Sequence, residues 1–194
     1  MADLERRRLL AGFAGTLAAS SLGMPSSAQA KGARARAPRV VPLNYIVAAN
    51  GHGIPPAILF GVALQESSRL WKTSEQRTLL PWPWTLNIAG EPYRAQTESA
   101  CLSRVLYELG RGQTRIDIGL MQVHWRYHAH RFSSPAHAVN PFINLDAGAR
   151  ILAEHYRATG KWALAVARYH NADPQVGAAY AASVFRFVSE VANV

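Results

Sequence analysis

Cysteine is almost absent from this chain of 194 residues, because Cys101 is the only one. A single thiol excludes a disulfide within the chain, and no cysteine follows the apolar N-terminal segment to carry a lipid. Acidic residues are also scarce, at 12 against 21 Lys and Arg. The resulting net charge of +9 favours a polyanionic partner, such as nucleic acid, acidic lipid head groups or a cell-wall polymer, without choosing among them.

Internal repeats and low-complexity blocks are missing as well. Only 17% of the residues are charged and 49% are hydrophobic. This composition excludes a disordered or fibrous chain, and it predicts one globular domain with a hydrophobic core.

The first thirty residues have the order of a secretory signal. Arg6–Arg8 precede an apolar stretch, Leu9–Met24, and the small residues Ala28 and Ala30 fit a signal peptidase site. The apolar stretch contains glycines and serines and is shorter than the ~20 residues of a spanning helix, which favours cleavage over a permanent anchor. We therefore expect residues 1–30 to be a signal peptide, with the Sec and twin-arginine routes both open.

A composition shift marks the start of the domain. Residues 31–42, KGARARAPRVVP, lack periodicity and predict a basic, flexible lead. The domain is expected over residues 43–194. Its first helix runs from Leu43 to an Asn-Gly break. A second helix, apolar nearly all round and therefore buried, begins at Pro55-Pro56 and ends on Glu66.

Later segments alternate between turn signals and helical spacing. Trp84–Ile88 predicts a short strand that turns at Ala89-Gly90. The fold class is therefore mainly α with a small β-hairpin, and the further helices are expected over about Thr97 to Gly110, Pro141 to Gly160, Trp162 to Tyr169 and Pro174 to Val191.

Three short polar stretches interrupt apolar surroundings: Gln65–Ser67, Gly119–Gln122 and Ala167–Asn171. In this order they resemble the lytic transglycosylases of the lysozyme-like superfamily, in which a Glu-Ser pair closes a buried helix. A Gly-Leu-Met-Gln stretch then follows, and a Tyr-Asn pair ends a later helix. The resemblance covers about Leu43 to Asp173 and is greatest to the small enzymes that accompany secretion and conjugation machineries.

Two departures from the family pattern are present. His170 separates Tyr169 from Asn171, where many relatives have Tyr directly before Asn. The stretch between Glu66 and Gly119 is longer than in the compact form of the family.

The resemblance implies a lysozyme-like α+β domain that acts on peptidoglycan. Its reaction would cleave the β-1,4 bond between N-acetylmuramic acid and N-acetylglucosamine and leave 1,6-anhydromuramic ends, to open the wall for a transport complex. We expect a periplasmic monomer that needs no metal or cofactor. Its partners would be glycan strands and a conjugation or secretion complex, and not nucleic acid.

Glu66 is the predicted catalytic residue. A carboxyl group at the end of an apolar helix loses hydration, which favours its protonated form and allows it to act as an acid near neutral pH. The resemblance implies that Glu66 protonates the bridging oxygen and then accepts the proton of the muramic acid C6 hydroxyl. Asp117 is the candidate second carboxylate, although it would also fit a role in capping or turning the backbone.

The remaining site residues follow from the three stretches. Gly119 would allow close backbone approach, and Met121 and Gln122 would either line the cleft or form a core turn. Tyr169 would hydrogen-bond Glu66 and hold its carboxyl group. The predicted substrate-binding set is Gln122, Met121, Gly119, Tyr169, Asn171, Asp117 and Ser67, where Ser67 is expected to fix the helix end by a local hydrogen bond.

Other interpretations of the sequence remain open. His124 and His128 have zinc-ligand spacing, but Trp125 stands where a zinc protease has its glutamate, so packing histidines are favoured. Trp82 and Trp84 fit cleft lining and loop packing equally. Rival functions are a hydrolytic muramidase and a non-catalytic wall-binding assembly factor, whereas nucleic-acid binding depends on charge alone.

Overall fold

The computed structural model describes residues 39–72 and 77–191. The predicted signal peptide, residues 1–30, and residues 31–38 of the basic lead lie outside these ranges, so both remain predictions.

The end of the predicted lead belongs to the folded domain. Val41 is buried, and the backbone N–H of Arg39 donates to the Glu190 carbonyl at 2.7 Å. The Arg39 guanidinium also donates to the Glu190 carboxylate at 2.9 Å and to the Leu79 carbonyl at 2.7 Å. These contacts fix the segment, so the prediction of a flexible lead up to residue 42 is wrong for Arg39 onwards.

Helices dominate the described residues. They form α1 (Leu43–Gly51), α2 (Pro56–Ser67), α3 (Glu98–Gly110), α4 (Trp125–His128), α5 (Pro135–Val139), α6 (Pro141–Thr159), α7 (Trp162–His170) and α8 (Pro174–Ser189). A 3-10 turn, Ala129–Arg131, follows α4.

Six short strands form two antiparallel sheets within the described part of the chain. The strands are β1 (Ser68–Lys72), β2 (Arg77–Pro81), β3 (Thr85–Ile88), β4 (Glu91–Arg94), β5 (Ile116–Ile118) and β6 (Val123–His124). β1 pairs with β2, and the second sheet has the order β4-β3-β5-β6. The mainly α prediction with a small hairpin is confirmed at β3–β4, and the β1–β2 hairpin was not foreseen.

Turn and cap residues explain where these elements begin and end. Ala89 and Gly90 have φ of 53° and 105°, which matches the left-handed turn that a two-residue hairpin prefers. Pro141 and Pro174 stand at the first turns of α6 and α8, where a missing N–H costs nothing. The Asn140 side chain accepts hydrogen bonds from the next backbone N–H groups, and Asp173 does the same before α8.

The second helix lies at the centre of the core. Seven consecutive residues of α2, Ile58 to Leu64, are buried, as its nearly continuous apolar sequence predicts. At Gly61 an added Cβ would lie 3.0 Å from a methyl group of Val188, so the glycine allows α8 to approach closely. This approach brings α8 to the end of α2, where Glu66 lies.

No single helix in the described ranges is long and apolar enough to cross a membrane. The pair α1 and α2 reaches the required length and composition only together, and the two helices are bent by 115°.

Candidate active site

The carboxyl group of Glu66 lies half-buried in the last turn of α2. Tyr180, on α8, donates a hydrogen bond from its hydroxyl to Oε1 of Glu66 over 2.5 Å. The Tyr180 ring is itself buried and stacks on His170, with ring centroids 4.4 Å apart and planes 5° from parallel. One carboxylate oxygen is therefore held by a phenol that cannot easily move.

The environment of Glu66 favours its protonated form. The pKa of Glu66 is raised from 4.5 to about 7, chiefly by burial; the Tyr180 hydrogen bond lowers it, and the negative charge of Asp117 raises it. Near neutral pH the group is therefore divided between acid and carboxylate, as an acid that must also act as a base requires. The desolvation predicted from the apolar helix is the largest of these effects.

Asp117 lies on β5 between two buried isoleucines, Ile116 and Ile118. Its β-sheet partners are Asn87 and His124, so these three residues share the outer face of the sheet. Burial, and after it the charges of Glu66 and Asp117, hold the pKa of the Tyr169 phenol well above its usual value. Asp117 thus belongs to the electrostatic surroundings of Glu66.

Hydrogen bonds join the three polar stretches that the sequence singled out. The Ser67 hydroxyl is fully buried and lies 2.9 Å from the Leu120 carbonyl and 3.1 Å from the Ala63 carbonyl. Tyr169 donates from its hydroxyl to the Met121 carbonyl over 2.7 Å. The end of α2 and the end of α7 are therefore both attached to the Gly119–Gln122 turn.

These contacts correct two predicted roles. Tyr169 bonds the Met121 carbonyl, and the phenol that donates to Glu66 is Tyr180. Ser67 forms the predicted local hydrogen bond, but its hydroxyl is buried and cannot contact a substrate in this structure.

The Gly119–Gln122 turn is held by Asn144, a fully buried residue of α6. Its amide nitrogen donates to the Ile118 and Ala138 carbonyls at 2.9 and 3.0 Å, and its oxygen accepts from the Met121 N–H at 3.0 Å. Gly119 has φ of 82°, and an added Cβ would lie 2.5 Å from Cγ of Asn144. The close approach predicted for Gly119 is therefore to Asn144, and no contact with substrate is needed to explain it.

Met121 is a core residue. Its side chain is fully buried and packs against α6 at Gly148, where an added Cβ would lie 2.5 Å from Met121 Cβ. This burial contradicts the prediction that the Met121 side chain lines the cleft. Because Gly148 has no side chain, the Met121 side chain can pack directly against α6.

Gln122 is half-buried and has an uncommon positive φ of 45°. Its amide nitrogen donates to the carbonyls of Thr85 and Gly119 at 3.0 and 2.9 Å. Within the described ranges its Oε1 has no hydrogen-bond donor, so this oxygen remains an acceptor for a sugar hydroxyl or amide.

Asn171 lies at the junction of α7 and α8, where its side chain accepts from the Asp173 N–H at 2.9 Å. It lines a groove of about 430 Å³ between these helices, together with Leu164, Arg168 and Phe185. The described contacts of Asn171 all lie in this junction and none is with Glu66. Asn171 therefore has a structural role at this junction, and its predicted contact with substrate remains a prediction.

The histidines with zinc-ligand spacing make local contacts. His124 accepts from the Arg126 N–H, and His128 accepts from the Arg131 guanidinium at 3.3 Å. Burial and nearby positive charges lower the pKa of His128 to about 4. Over residues 39–72 and 77–191, no group of three His, Cys, Asp or Glu side chains has the arrangement of a metal site.

Three tryptophans form a row beside the end of α2. The Trp71 and Trp82 centroids are 5.4 Å apart, as are those of Trp82 and Trp84. Trp82 donates from its indole N–H to the Ala95 carbonyl at 2.8 Å, which fixes it in the loop. Loop packing is therefore shown for Trp82, while Trp71, at 42% exposed, presents its ring to solvent.

Sequence reasoning missed Tyr180 and Asn144. Tyr180 stands alone among small residues in GAAYAA, and Asn144 is the polar residue on the apolar face of α6. A buried polar side chain needs a partner, so each of these positions carried a signal that a hydrogen bond would form there.

Comparison with known protein families gives one match. The family described as the transglycosylase SLT domain matches residues 44–184. A search of curated proteins found no match, and neither did a search of solved structures. The match and the helix-rich architecture show the predicted mainly α, lysozyme-like fold, and they support peptidoglycan lytic transglycosylase activity in general. Because the match spans most of the chain, this protein belongs to the transglycosylase SLT domain family.

Proposed function

We propose that this protein cleaves the β-1,4 bond between N-acetylmuramic acid and N-acetylglucosamine and leaves 1,6-anhydromuramic ends. The observation that carries the proposal is the state of Glu66, a carboxyl group with a pKa of about 7 whose Oε1 is held by Tyr180. Within the described ranges, no donor bonds Oε2, so this oxygen is left for the substrate.

In the first step, protonated Glu66 donates its proton to the bridging glycosidic oxygen. The bond between that oxygen and C1 of muramic acid breaks, and positive charge develops at C1. In the second step, O6 of the same sugar bonds to C1, and its proton passes to the Glu66 carboxylate. The carboxyl group is thereby regenerated, no water is consumed, and one carboxylate is sufficient.

The surrounding residues have separate tasks in this proposal. Tyr180 orients the carboxyl group, and Asp117 raises its pKa so that the proton is retained until the substrate is bound. Gln122 presents an amide oxygen on the turn that Ser67 and Tyr169 fix to the end of α2. These tasks require a fixed turn, which the buried amide of Asn144 provides.

Mass analysis of digested sacculi tests both the substrate and the reaction. The wild-type protein is expected to release muropeptides with 1,6-anhydromuramic ends, while Glu66→Gln releases none. Products that carry only reducing ends would instead support a hydrolytic muramidase, in which water replaces the C6 hydroxyl. Equal clearing by Glu66→Gln and wild type in a zymogram would overturn the assignment of Glu66 and favour a non-catalytic wall-binding factor.

The cellular context is also a proposal. Export to the periplasm is supported by the signal-like residues 1–30, and a task in opening the wall for a transport complex is supported by resemblance to the small enzymes of such machineries. Cell fractionation with mass measurement of the mature N-terminus tests the first, with cleavage after Ala30 expected. Loss of conjugative or secretory transfer on gene deletion, restored by wild type and not by Glu66→Gln, tests the second.

A further inference from the structure

The β1–β2 hairpin continues directly from the end of α2, so it lies within a few residues of Glu66. Its register pairs Arg69 with Leu80 and Trp71 with Thr78, and alternate residues of a strand share a face. Trp71 and Leu80 on that face are 42% and 40% exposed. The backbone N–H of Trp82 donates to the Ser67 carbonyl at 3.0 Å, and this hydrogen bond holds the hairpin against the end of α2.

Arg69 is held on this face by two indole rings. Its guanidinium carbon lies 4.9 Å from the centroid of Trp82 and 5.5 Å from that of Trp71. The ring faces attract the guanidinium, and these contacts restrict the Arg69 side chain before any ligand arrives. The planar guanidinium of Arg69 therefore lies in a defined position on this face of the hairpin.

No carboxylate in the described ranges comes within 4.0 Å of Arg69. The described strands β1 and β2 contain three basic residues, Arg69, Lys72 and Arg77, and no acidic one. Within the described ranges, Arg69 is therefore a restrained guanidinium without an ion pair, on strands that carry basic residues and an exposed indole. Such a group can bind a carboxylate that has small apolar groups beside it.

We propose that Arg69 and Trp71 bind a carboxylate of the peptide that branches from muramic acid. Arg69 would form paired hydrogen bonds with the carboxylate, and Trp71 would cover the adjoining alanine methyl groups. Arg69 lies three positions after Glu66, which limits the distance between their Cα atoms to about 11 Å, within reach of a peptide attached to the sugar at the cleavage point. This inference rests on the proposed function and adds a preference for peptide-bearing glycan over stripped glycan.

Calorimetry tests the inference with two ligands, the N-acetylglucosaminyl-N-acetylmuramyl disaccharide with its tetrapeptide and the same disaccharide without the peptide, in which the lactyl carboxylate that amidase leaves is capped as a primary amide. The protein carries Glu66→Gln throughout, so binding is measured without turnover. We expect the peptide to improve the Kd about tenfold through the charge-assisted hydrogen bonds. Arg69→Gln is expected to abolish this gain, and Arg69→Lys, which keeps the charge and lacks the planar fork, to restore only part of it.

Lys72→Gln is the matched control, because it removes one positive charge from the opposite face of the same strand. It is expected to keep the tenfold gain, and tryptophan fluorescence shows whether the hairpin is intact in each variant. An equal loss in both Arg69→Gln and Lys72→Gln would overturn the inference in favour of general attraction to a basic surface. A Kd that is the same for both ligands in the parent protein would overturn it directly.

The activity of the protein with intact Glu66 separates this inference from the proposed function. Cleavage of peptide-bearing and stripped glycan at equal kcat/KM would overturn the peptide site and leave the transglycosylase intact. Absence of cleavage of either substrate, together with absence of binding, would overturn both proposals.

Discussion

Tyr180 and Glu66 are 114 residues apart in the chain, and their side chains share a hydrogen bond of 2.5 Å. The contact joins the last helix of the domain to the end of its most buried helix. It also decides which oxygen of the carboxyl group is free, because Oε1 accepts from the phenol. The proposed acid is therefore assembled from two distant parts of the sequence.

Removal of this hydrogen bond tests its effect on the acid. The Tyr180 hydroxyl lowers the pKa of Glu66, so Tyr180→Phe is expected to raise that pKa above about 7. Because the proposed reaction begins with protonated Glu66, the fall of kcat/KM on the alkaline side should move to higher pH. We also expect kcat to fall about tenfold, since the carboxyl group loses its orienting donor.

The pH profile of glycan cleavage measures both effects of Tyr180→Phe. Tyr127→Phe, at an exposed ring on α4, is the control and should leave the profile unchanged. If the alkaline limb of the kcat/KM profile does not move in Tyr180→Phe, the assignment of Tyr180 as the hydrogen-bond partner of Glu66 is contradicted.

Asp117→Asn tests whether Asp117 acts through charge alone. Its negative charge raises the pKa of Glu66, so the substitution should lower that pKa and move the alkaline limb of kcat/KM to lower pH. At pH 5, where Glu66 stays protonated, kcat should remain within about threefold of wild type, because the loss is only electrostatic. A loss of a hundredfold or more at every pH would instead show that Asp117 takes part in the chemistry.

Glu66→Gln is expected to stabilise the folded protein at high pH. The pKa of Glu66 is raised from 4.5 to about 7, chiefly by burial, so the folded state holds this proton more tightly than the unfolded state. The stabilisation from that proton is complete below pH 4.5 and is lost as the pH rises through 7. The variant should therefore match wild type near pH 4.5 and exceed it by up to about 3 kcal/mol near pH 8.5.

Urea unfolding at the two pH values measures the free energy of unfolding for Glu66→Gln. Glu91→Gln, which removes an exposed carboxylate on β4, controls for the change of net charge. A stability difference between Glu66→Gln and wild type that does not vary with pH would contradict the shifted pKa.

Gly119→Ala should destabilise the domain through its clash with Asn144. The added methyl would meet the Asn144 amide at 2.5 Å and would break the hydrogen bonds that hold the turn. Gly112→Ala is the matched control, because its φ of 78° is close to the 82° of Gly119 and no atom lies within 4 Å of the added Cβ. We expect Gly119→Ala to cost about 2 kcal/mol more than Gly112→Ala in urea unfolding, and equal costs would contradict the clash.

The helical framework could be predicted because its signals are local. Pro56, Pro141 and Pro174 stand at helix starts, and Gly160 ends α6 with φ of 66°. The strand near Thr85 could be predicted from its alternation and the turn that follows. The hairpin β1–β2 could not, because its polar and aromatic residues do not separate into two clear faces in the sequence.

The candidate site was predictable only where a motif marked it. Glu66 ended an apolar helix, and its position in the structure follows from that pattern. The partner of its carboxyl group depends on how α8 packs on α2, which local sequence does not reveal, so the interpretation assigned to Tyr169 what belongs to Tyr180. Met121 was ambiguous for the same reason, since only packing against Gly148 shows that it is core.

The close approach of α8 to α2 at Gly61 has a consequence for any shortened form of this protein. A fragment that stops before Pro174 would keep all three polar stretches, including Glu66, and would still be recognisable by its motifs. It would lack the phenol that orients the acid and the side chains that cover Gly61. The sequence motifs and the Tyr180–Glu66 hydrogen bond are therefore separable in this chain, because the hydrogen bond depends on the last helix.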